Sequence, residues 1–286
     1  MHSRRPHRIG ELGILERSYP PAAERRRAIE AVRAKSEDNR TSDDWWILGE
    51  FLVLDGLLDE DDALLNQGIE ALSRGAASDP PSPACMLDLG WVLMSKGLDA
   101  LALPHLVRAT DLAHRSRDAW TLRGWVHAGL GQRDAAIASF KSACALPSAT
   151  DSDRETLRSL EEGADPRSLR ANVLLRKLEP ENVRLAHGRD PEAPKAFLHT
   201  ARMLLERDPD NPLLLYLTAN TRYILGQYDR AKPLLDRLLA LEPQHADALG
   251  GVLINETARV PVDGPVHHRS PPRRVQVVPA TAIIPK

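Results

Sequence analysis

The sequence predicts an all-α protein, a solenoid of stacked antiparallel helix pairs. Small and apolar residues recur at a fixed interval of about 34 residues along much of the chain. Within each interval, two helical segments are separated by a short turn that holds a glycine. Repetition at this length is the sequence signature of solenoids and arrays, in which each unit buries its apolar face against its neighbours.

The repeat interval is clearest between residues 83 and 146. Gly49 precedes Gly90 by more than one interval, so an earlier copy is stretched by about seven residues. A later copy keeps the same internal spacings and closes at Pro243, which lies one repeat interval after Pro209. The matched pairs are Gly90 with Gly124, Gly97 with Gly131, Ala102 with Ala136, Leu106 with Phe140 and Ala109 with Ala143, and the later copy carries Ala219, Gly226, Ala231, Leu235 and Leu238.

Each unit is predicted to form two helices. In the clearest unit the first helix ends before Gly97, because a glycine just past a helix end adopts a left-handed backbone without strain at Cβ. Gly90 in the first helix, and Ala102 and Ala109 in the second, are placed where the two helices cross. Small side chains at a crossing let the helix axes approach closely, so that larger neighbours interlock.

These residues resemble the tetratricopeptide repeat family. The resemblance covers residues 42–146 and 191–245, and it implies a right-handed superhelix whose first helices line a concave groove. It also implies a protein that binds other proteins or peptides. The residues that carry it are Trp45 with Leu48 and Gly49; Leu89 and Gly90 with Gly97, Ala102 and Ala109; Trp120 with Gly124, Gly131, Ala136, Phe140 and Ala143; and Gly226, Tyr228, Ala231 and Pro243.

The chain is predicted to divide into five segments. Between the two repeat blocks, two further helices are expected, broken between Gly163 and Pro166. The proline-rich end of the chain has little helical character and is expected to be extended or disordered. The segments are an N-terminal arm and capping helix (1–41), a first repeat block (42–148), an irregular or degenerate repeat (149–190), a second repeat block with a closing helix (191–259) and a proline-rich tail (260–286).

Composition argues against several classes of function. The 38 Lys and Arg against 40 Asp and Glu give a net charge of -2, which does not favour a protein that grips nucleic acid by bulk charge. No apolar run approaches the ~18 residues that a membrane span needs, and the N-terminus lacks the apolar segment of a secretory signal. The 2 Cys fit a reducing cytoplasm, where we expect the protein to reside.

The sequence also predicts a protein without catalytic activity, metal or cofactor. It holds no G-x-x-x-x-G-K-[ST], H-E-x-x-H, G-x-S-x-G or strand-linked G-x-G-x-x-G. Two charged stretches are interpreted as solvated surface: the basic face that includes Arg25, Arg26 and Arg27, and the acidic stretch from Asp59 to Asp62.

Two stripes of large side chains follow the first helices of the units. One stripe, with Trp45, Leu89 and Trp120, is expected to be buried between helices because its members are spaced by three and four residues. By resemblance to the family, a second stripe one residue away faces the concave groove, and Trp91 and Trp125 lie one repeat interval apart along it. The candidate partner-binding residues are Trp46, Leu87, Trp91, Met94, Trp125, Tyr216, Asn220 and Tyr223.

Three interpretations of this second stripe stay open. The rings could form an aromatic ladder that binds an apolar segment of a partner, since buried aromatic anchors commonly dominate interface energy. They could instead pack against neighbouring helices of a tight superhelix, or the apolar tail VQVVPATAIIP could dock on them. The function predicted first is a non-catalytic adaptor or scaffold, an accessory subunit of a larger complex; the alternative is a chaperone or regulator that shields an apolar client segment.

Overall fold

The computed structural model describes residues 20–178 and 193–244. Within these ranges the chain forms twelve α-helices, one short 3-10 turn at Glu37–Asn39 and no strand. The predicted closing helix and proline-rich tail lie outside the described residues. The helices are α1 (Ala22–Arg33), α2 (Ser42–Asp59), α3 (Asp62–Ala77), α4 (Pro83–Ser95), α5 (Asp99–Leu112), α6 (Arg117–Gly129), α7 (Arg133–Cys144), α8 (Asp151–Glu161), α9 (Pro166–Lys177), α10 (Ala193–Leu205), α11 (Pro212–Ile224) and α12 (Tyr228–Leu241).

The helices stack as consecutive antiparallel pairs. The pairs are α2 with α3, α4 with α5, α6 with α7, and α11 with α12, and within the first three the second helix of a pair also packs on the helix that follows it. Helix α1 packs on α2 at the beginning of the stack. The predicted fold class, an all-α solenoid of helix pairs, is confirmed.

Repeated signals at the helix ends fix where each pair turns. Gly97, Gly131 and Gly226 follow the first helix of their pairs with φ of 72°, 75° and 71°, a left-handed backbone that glycine adopts without strain. The Ser82 hydroxyl accepts a hydrogen bond from the Cys85 amide at the start of α4. Ser116 caps α6 in the same way, so that N-cap and turn glycine both recur in successive pairs.

In the first three pairs, a glycine of the first helix meets a large side chain of the second. A Cβ atom on Gly90 would lie 2.5 Å from Cγ of Leu106, and one on Gly124 would lie 2.8 Å from Cε2 of Phe140, both closer than atoms can pack. The second helix therefore occupies the volume that any other residue would need. The contacts are Gly49 with Leu72, Gly90 with Leu106, and Gly124 with Phe140.

The stack becomes irregular after α7. Helix α8 packs on α7 as the next first helix would, and the chain then breaks at Gly163, whose φ is 103°. Helix α9 packs mainly on α6 rather than on α8. The sequence predicted two helices with a break between them in this region, and the structure has α8 and α9 there. Because α9 is separated from α8, it lies on the inner side of the first block.

We predict that Gly90→Ala destabilises the protein by about 1–3 kcal/mol, because the added methyl group overlaps Leu106. Without that overlap, alanine should instead stabilise a helix interior by up to about 1 kcal/mol relative to glycine. Urea unfolding followed by circular dichroism gives both values when Gly90→Ala is made in the wild type and in a Leu106→Ala background. An equal cost in the two backgrounds would contradict the packing argument.

Candidate functional site

The candidate residues in the first block are mostly buried. Trp91 and Trp125 are each only 1% exposed, and Leu87 and Met94 are buried as well. Trp46 is partly buried, and its indole Nε1 donates a hydrogen bond to Oδ2 of Asp88 at 2.5 Å. In this conformation, α4 and α6 present no open aromatic ladder.

Both buried indole rings pack against rings on other helices. The Trp91 ring lies 6.3 Å, centroid to centroid, from the imidazole of His199 on α10. The Trp125 ring meets Phe140 of α7 edge to face at 5.1 Å. These contacts agree with the interpretation in which the rings pack against neighbouring helices.

The helix that covers this face comes from the far end of the chain. Helix α10 packs on α2 and α9 and touches α4 through Trp91, while α9 packs on α6. The buried side chains of α10 include Phe197, Ala201 and Leu204, which join the same apolar cluster as Trp91 and Trp125. The inner face of the first block is therefore occupied by the chain itself, through α9 and α10.

His199 is a polar side chain in the middle of this apolar contact. Neither ring nitrogen has a hydrogen-bond partner. Burial, reinforced by the positive charges of Arg202 and Lys96, lowers the pKa of His199 to about 3. The imidazole is thus neutral at physiological pH, and its two nitrogens carry a desolvation cost of about 1–3 kcal/mol.

A buried ion pair anchors α9 to the first block. The Arg170 guanidinium donates from Nη1 to Oδ1 of Asp99 at 2.7 Å and from Nη2 to the Met94 carbonyl at 3.0 Å. It also donates to the Trp125 carbonyl at 3.4 Å, so one side chain joins the ends of α4, α5 and α6. Arg207, just beyond α10, lies 3.9 Å from the other Asp99 oxygen.

The acidic stretch after α2 binds the C-terminal helices. Lys195 of α10 forms an ion pair with Asp59. Glu60 accepts hydrogen bonds from Arg222 of α11 at 3.1 Å and from Arg230 of α12 at 2.7 Å. These two acids reach solvent, as the interpretation of a solvated turn expects, but each is also paired with a cation more than 130 residues away.

The interpretation of the basic face of α1 as solvated surface is wrong for Arg25. Its side chain is buried, and it donates from Nε to Oδ1 of Asp55 at 2.7 Å and from Nη1 to the Pro20 carbonyl at 2.7 Å. Arg26 and Arg27 are exposed as expected. Arg25 therefore helps to hold the capping helix α1 against α2, together with the apolar cluster that the two helices share.

The candidate residues of the second block lie on an open apolar strip. Leu213 and Ile224 are 52% and 57% exposed at the two ends of α11, and Asn220 is exposed between them. Their spacing places them on one face of the helix with the partly buried Tyr216 and Tyr223. The Tyr223 ring meets that of Tyr228, which is 39% exposed, edge to face at 4.8 Å. We call this surface the α11 stripe: Leu213, Tyr216, Asn220, Tyr223, Ile224 and Tyr228.

Two kinds of site are absent from the part of the chain that the structure describes. Across residues 20–178 and 193–244, no three or more His, Cys, Asp or Glu side chains lie together as ligands for a metal ion. Over the same ranges, no helix combines the length and apolar character needed to cross a bilayer.

Helix pairs joined by glycine turns define an α-solenoid of the repeat type. Residues 118–150, which contain α6 and α7, match the model of the tetratricopeptide repeat. The family model thus recognises a tetratricopeptide repeat over this one stretch of the chain. A search of curated proteins found no match.

Several solved structures are similar to this chain. MamA protein, known from a crystal structure, is 16% identical in sequence. The alignment covers 70% of this chain and 94% of that chain, with a TM-score of 0.34. The P58(IPK) TPR domain is 17% identical, over 76% of this chain and 64% of that one, with a TM-score of 0.36. A chain in the structure of Naa15/Naa10 bound to HypK-THB is 16% identical in sequence. The alignment covers 73% of this chain and 39% of that chain, with a TM-score of 0.33.

We predict that His199 makes the protein less stable as the pH falls. The pKa of His199 is lowered to about 3 in the folded chain but lies near 6.5 in the unfolded chain, so protons favour unfolding between those values. The His199 contribution should lower the free energy of unfolding by about 2 kcal/mol between pH 7.5 and pH 5.

Urea unfolding of wild type and His199→Leu at both pH values tests this. The pKa values of His105 and His127 are also lowered by burial, so the variant should keep a smaller loss of stability. An equal loss in wild type and variant would contradict the assignment to His199.

We also predict that Arg170→Met destabilises the protein by about 3 kcal/mol, because removing one partner leaves the buried Asp99 carboxylate without its main cation. Adding Asp99→Asn to the same chain should recover part of the loss, since no buried charge then remains unpaired. Thermal and urea unfolding of both variants provide the measurement. A double variant no more stable than Arg170→Met would refute the charge argument.

Proposed function

We propose that the protein is a non-catalytic scaffold that binds another protein through the α11 stripe, as an accessory subunit of a larger complex in the cytoplasm. The tetratricopeptide repeat and the stacked helix pairs support a protein–protein interaction scaffold. The assignment of the binding surface to α11 rests on the exposed apolar strip along that helix. Exposed apolar surface gathered on one face, rather than scattered, is typical of an interaction site.

The chemistry of the stripe suits a peptide segment with apolar side chains. Leu213 and Ile224 offer exposed aliphatic surface at either end, and Tyr223 and Tyr228 offer ring faces held by their mutual contact. Aromatic side chains supply large contact area at a low cost in conformational entropy. The Asn220 amide, exposed between them, can donate to and accept from a partner's backbone.

Three of the eight candidate residues are therefore kept as direct contacts in the folded chain: Tyr216, Asn220 and Tyr223. Leu87, Trp91, Met94 and Trp125 are buried and Trp46 is hydrogen-bonded to Asp88, so a partner reaches this group only if the covering helices move.

The alternative function, a chaperone that shields an apolar client segment, uses the same surface. The exposed aliphatic ends of the α11 stripe favour it as well. The two functions differ in their product: a scaffold forms a stoichiometric complex with a folded subunit, whereas a chaperone suppresses aggregation of an unfolded client.

The test compares two double variants of the tagged full chain. Leu213→Asp with Ile224→Asp places charges on the α11 stripe. Leu101→Asp with Leu112→Asp is the matched control, because these leucines of α5 are similarly exposed, at 59% and 47%. We predict that a stoichiometric partner co-purifies with wild type and control, identified by mass spectrometry, and is reduced about tenfold or more by the stripe variant.

Circular dichroism and urea unfolding check that both variants keep the fold. Equal retention of the partner by all three chains, or equal loss in both double variants, would exclude the stripe as the contact surface. A stripe-dependent decrease in client aggregation without a stable complex would favour the chaperone.

A further inference from the structure

We propose that the inner face of α2, α4 and α9 is a second binding surface, which α10 occupies as the chain's own ligand and which takes an amphipathic helix of a partner when α10 leaves. This inference rests on the proposed scaffold function and names the kind of partner. Three features of the contact carry it: a separable C-terminal unit, attachment by ion pairs at its edge, and a polar defect at its centre.

The C-terminal helices form a unit with a core of their own. Leu215, Ala219, Leu235 and Leu238 of α11 and α12 form an apolar cluster distinct from the main one. Helix α10 packs on α11, and Leu205 at its end also joins this cluster. The unit therefore keeps internal contacts when its contact with the first block is broken.

Charged side chains fasten this unit at the rim of the contact. Asp59 and Glu60, at the end of α2, pair with Lys195, Arg222 and Arg230, one from each of the three helices of the unit. All of these groups except Arg222 are at least one-fifth exposed. Ion pairs that reach solvent contribute little each and weaken with salt, so removing them lowers the free energy needed to release the unit. The apolar side chains of α10 and α11 that join the main cluster supply the rest of the attachment.

The centre of the contact holds a side chain that fits it poorly. His199 lies against Trp91 with both ring nitrogens unpaired, whereas its neighbours Phe197 and Ala201 are apolar and buried. A helix with the same apolar spacing and an aliphatic residue in place of His199 would not bury the two unpaired imidazole nitrogens. The surface therefore favours such a helix over α10, once the unit has moved.

The exposed surface would present the candidate residues of the first block. Trp91 lies directly beneath His199, and Leu87, Met94 and Trp125 belong to the same apolar cluster. Large aromatic side chains in an apolar groove are the usual anchors for a helix laid into it.

The experiment uses the full chain and a fluorescein-labelled peptide of residues 193–205 with leucine in place of His199. Asp59→Asn with Glu60→Gln weakens the attachment without changing side-chain size. Asp62→Asn is the matched control, since Asp62 belongs to the same acidic stretch but is exposed and outside the ion pairs. His199→Leu in the chain acts in the opposite direction, by improving the fit of α10.

Fluorescence anisotropy should show the peptide binding about tenfold more tightly to the Asp59→Asn, Glu60→Gln chain than to wild type, because a larger fraction of molecules is open. Asp62→Asn should match wild type, and His199→Leu should bind more weakly. Hydrogen exchange should show faster exchange of amides 193–205 in the weakened chain, with α4 to α7 unchanged.

Two results would overturn the proposal. One is equal peptide binding by all four chains, with amides 193–205 exchanging only together with α4 to α7, which would make α10 a fixed part of the core. The other is dimer formation by the weakened chain in place of peptide binding, which would assign the surface to a second copy. Neither result affects the stripe experiment, because the α11 stripe is exposed while α10 is in place.

Discussion

The close approach of two helices at a glycine is the contact on which the stack depends. Gly90 lets Leu106 enter the space where a side chain would stand, and Gly124 does the same for Phe140. Because the contact recurs along the first block, its three pairs pack through the same kind of close helix crossing. The stacking of the first block, and with it the position of Trp91 and Trp125, follows from this one local arrangement.

Local patterns were enough to predict that arrangement. The interval between Gly90 and Gly124, the glycine turns and the residues at the helix crossings depend only on neighbours within one or two units, and these neighbours are near in sequence. The spacing of three and four residues also placed Trp91 on a common face with Leu87 and Met94. The structure confirms the helix pairs in the described residues.

What covers that face was not predictable from spacing. His199 meets Trp91 from several repeat intervals further along the chain, and Glu60 finds its two arginines at still greater distance. Contacts of this kind have no period, so charged residues such as Arg25 and Glu60 resemble solvated surface in the sequence. They become visible as structural residues only when the fold brings their partners to them. A buried histidine with unpaired nitrogens likewise has no signature in a single sequence.

The ion pairs of Asp59 and Glu60 also change how the molecule behaves as a repeat array. In an open array, units interact only with the next in line, so terminal units can be removed without consequence for distant ones. Here the last three helices form ion pairs with the end of α2, so two parts of the chain that are far apart in sequence are held together. Truncation that removes α10 would uncover Trp91, and the last helices can dock only on a surface made by residues more than 130 positions earlier in the chain.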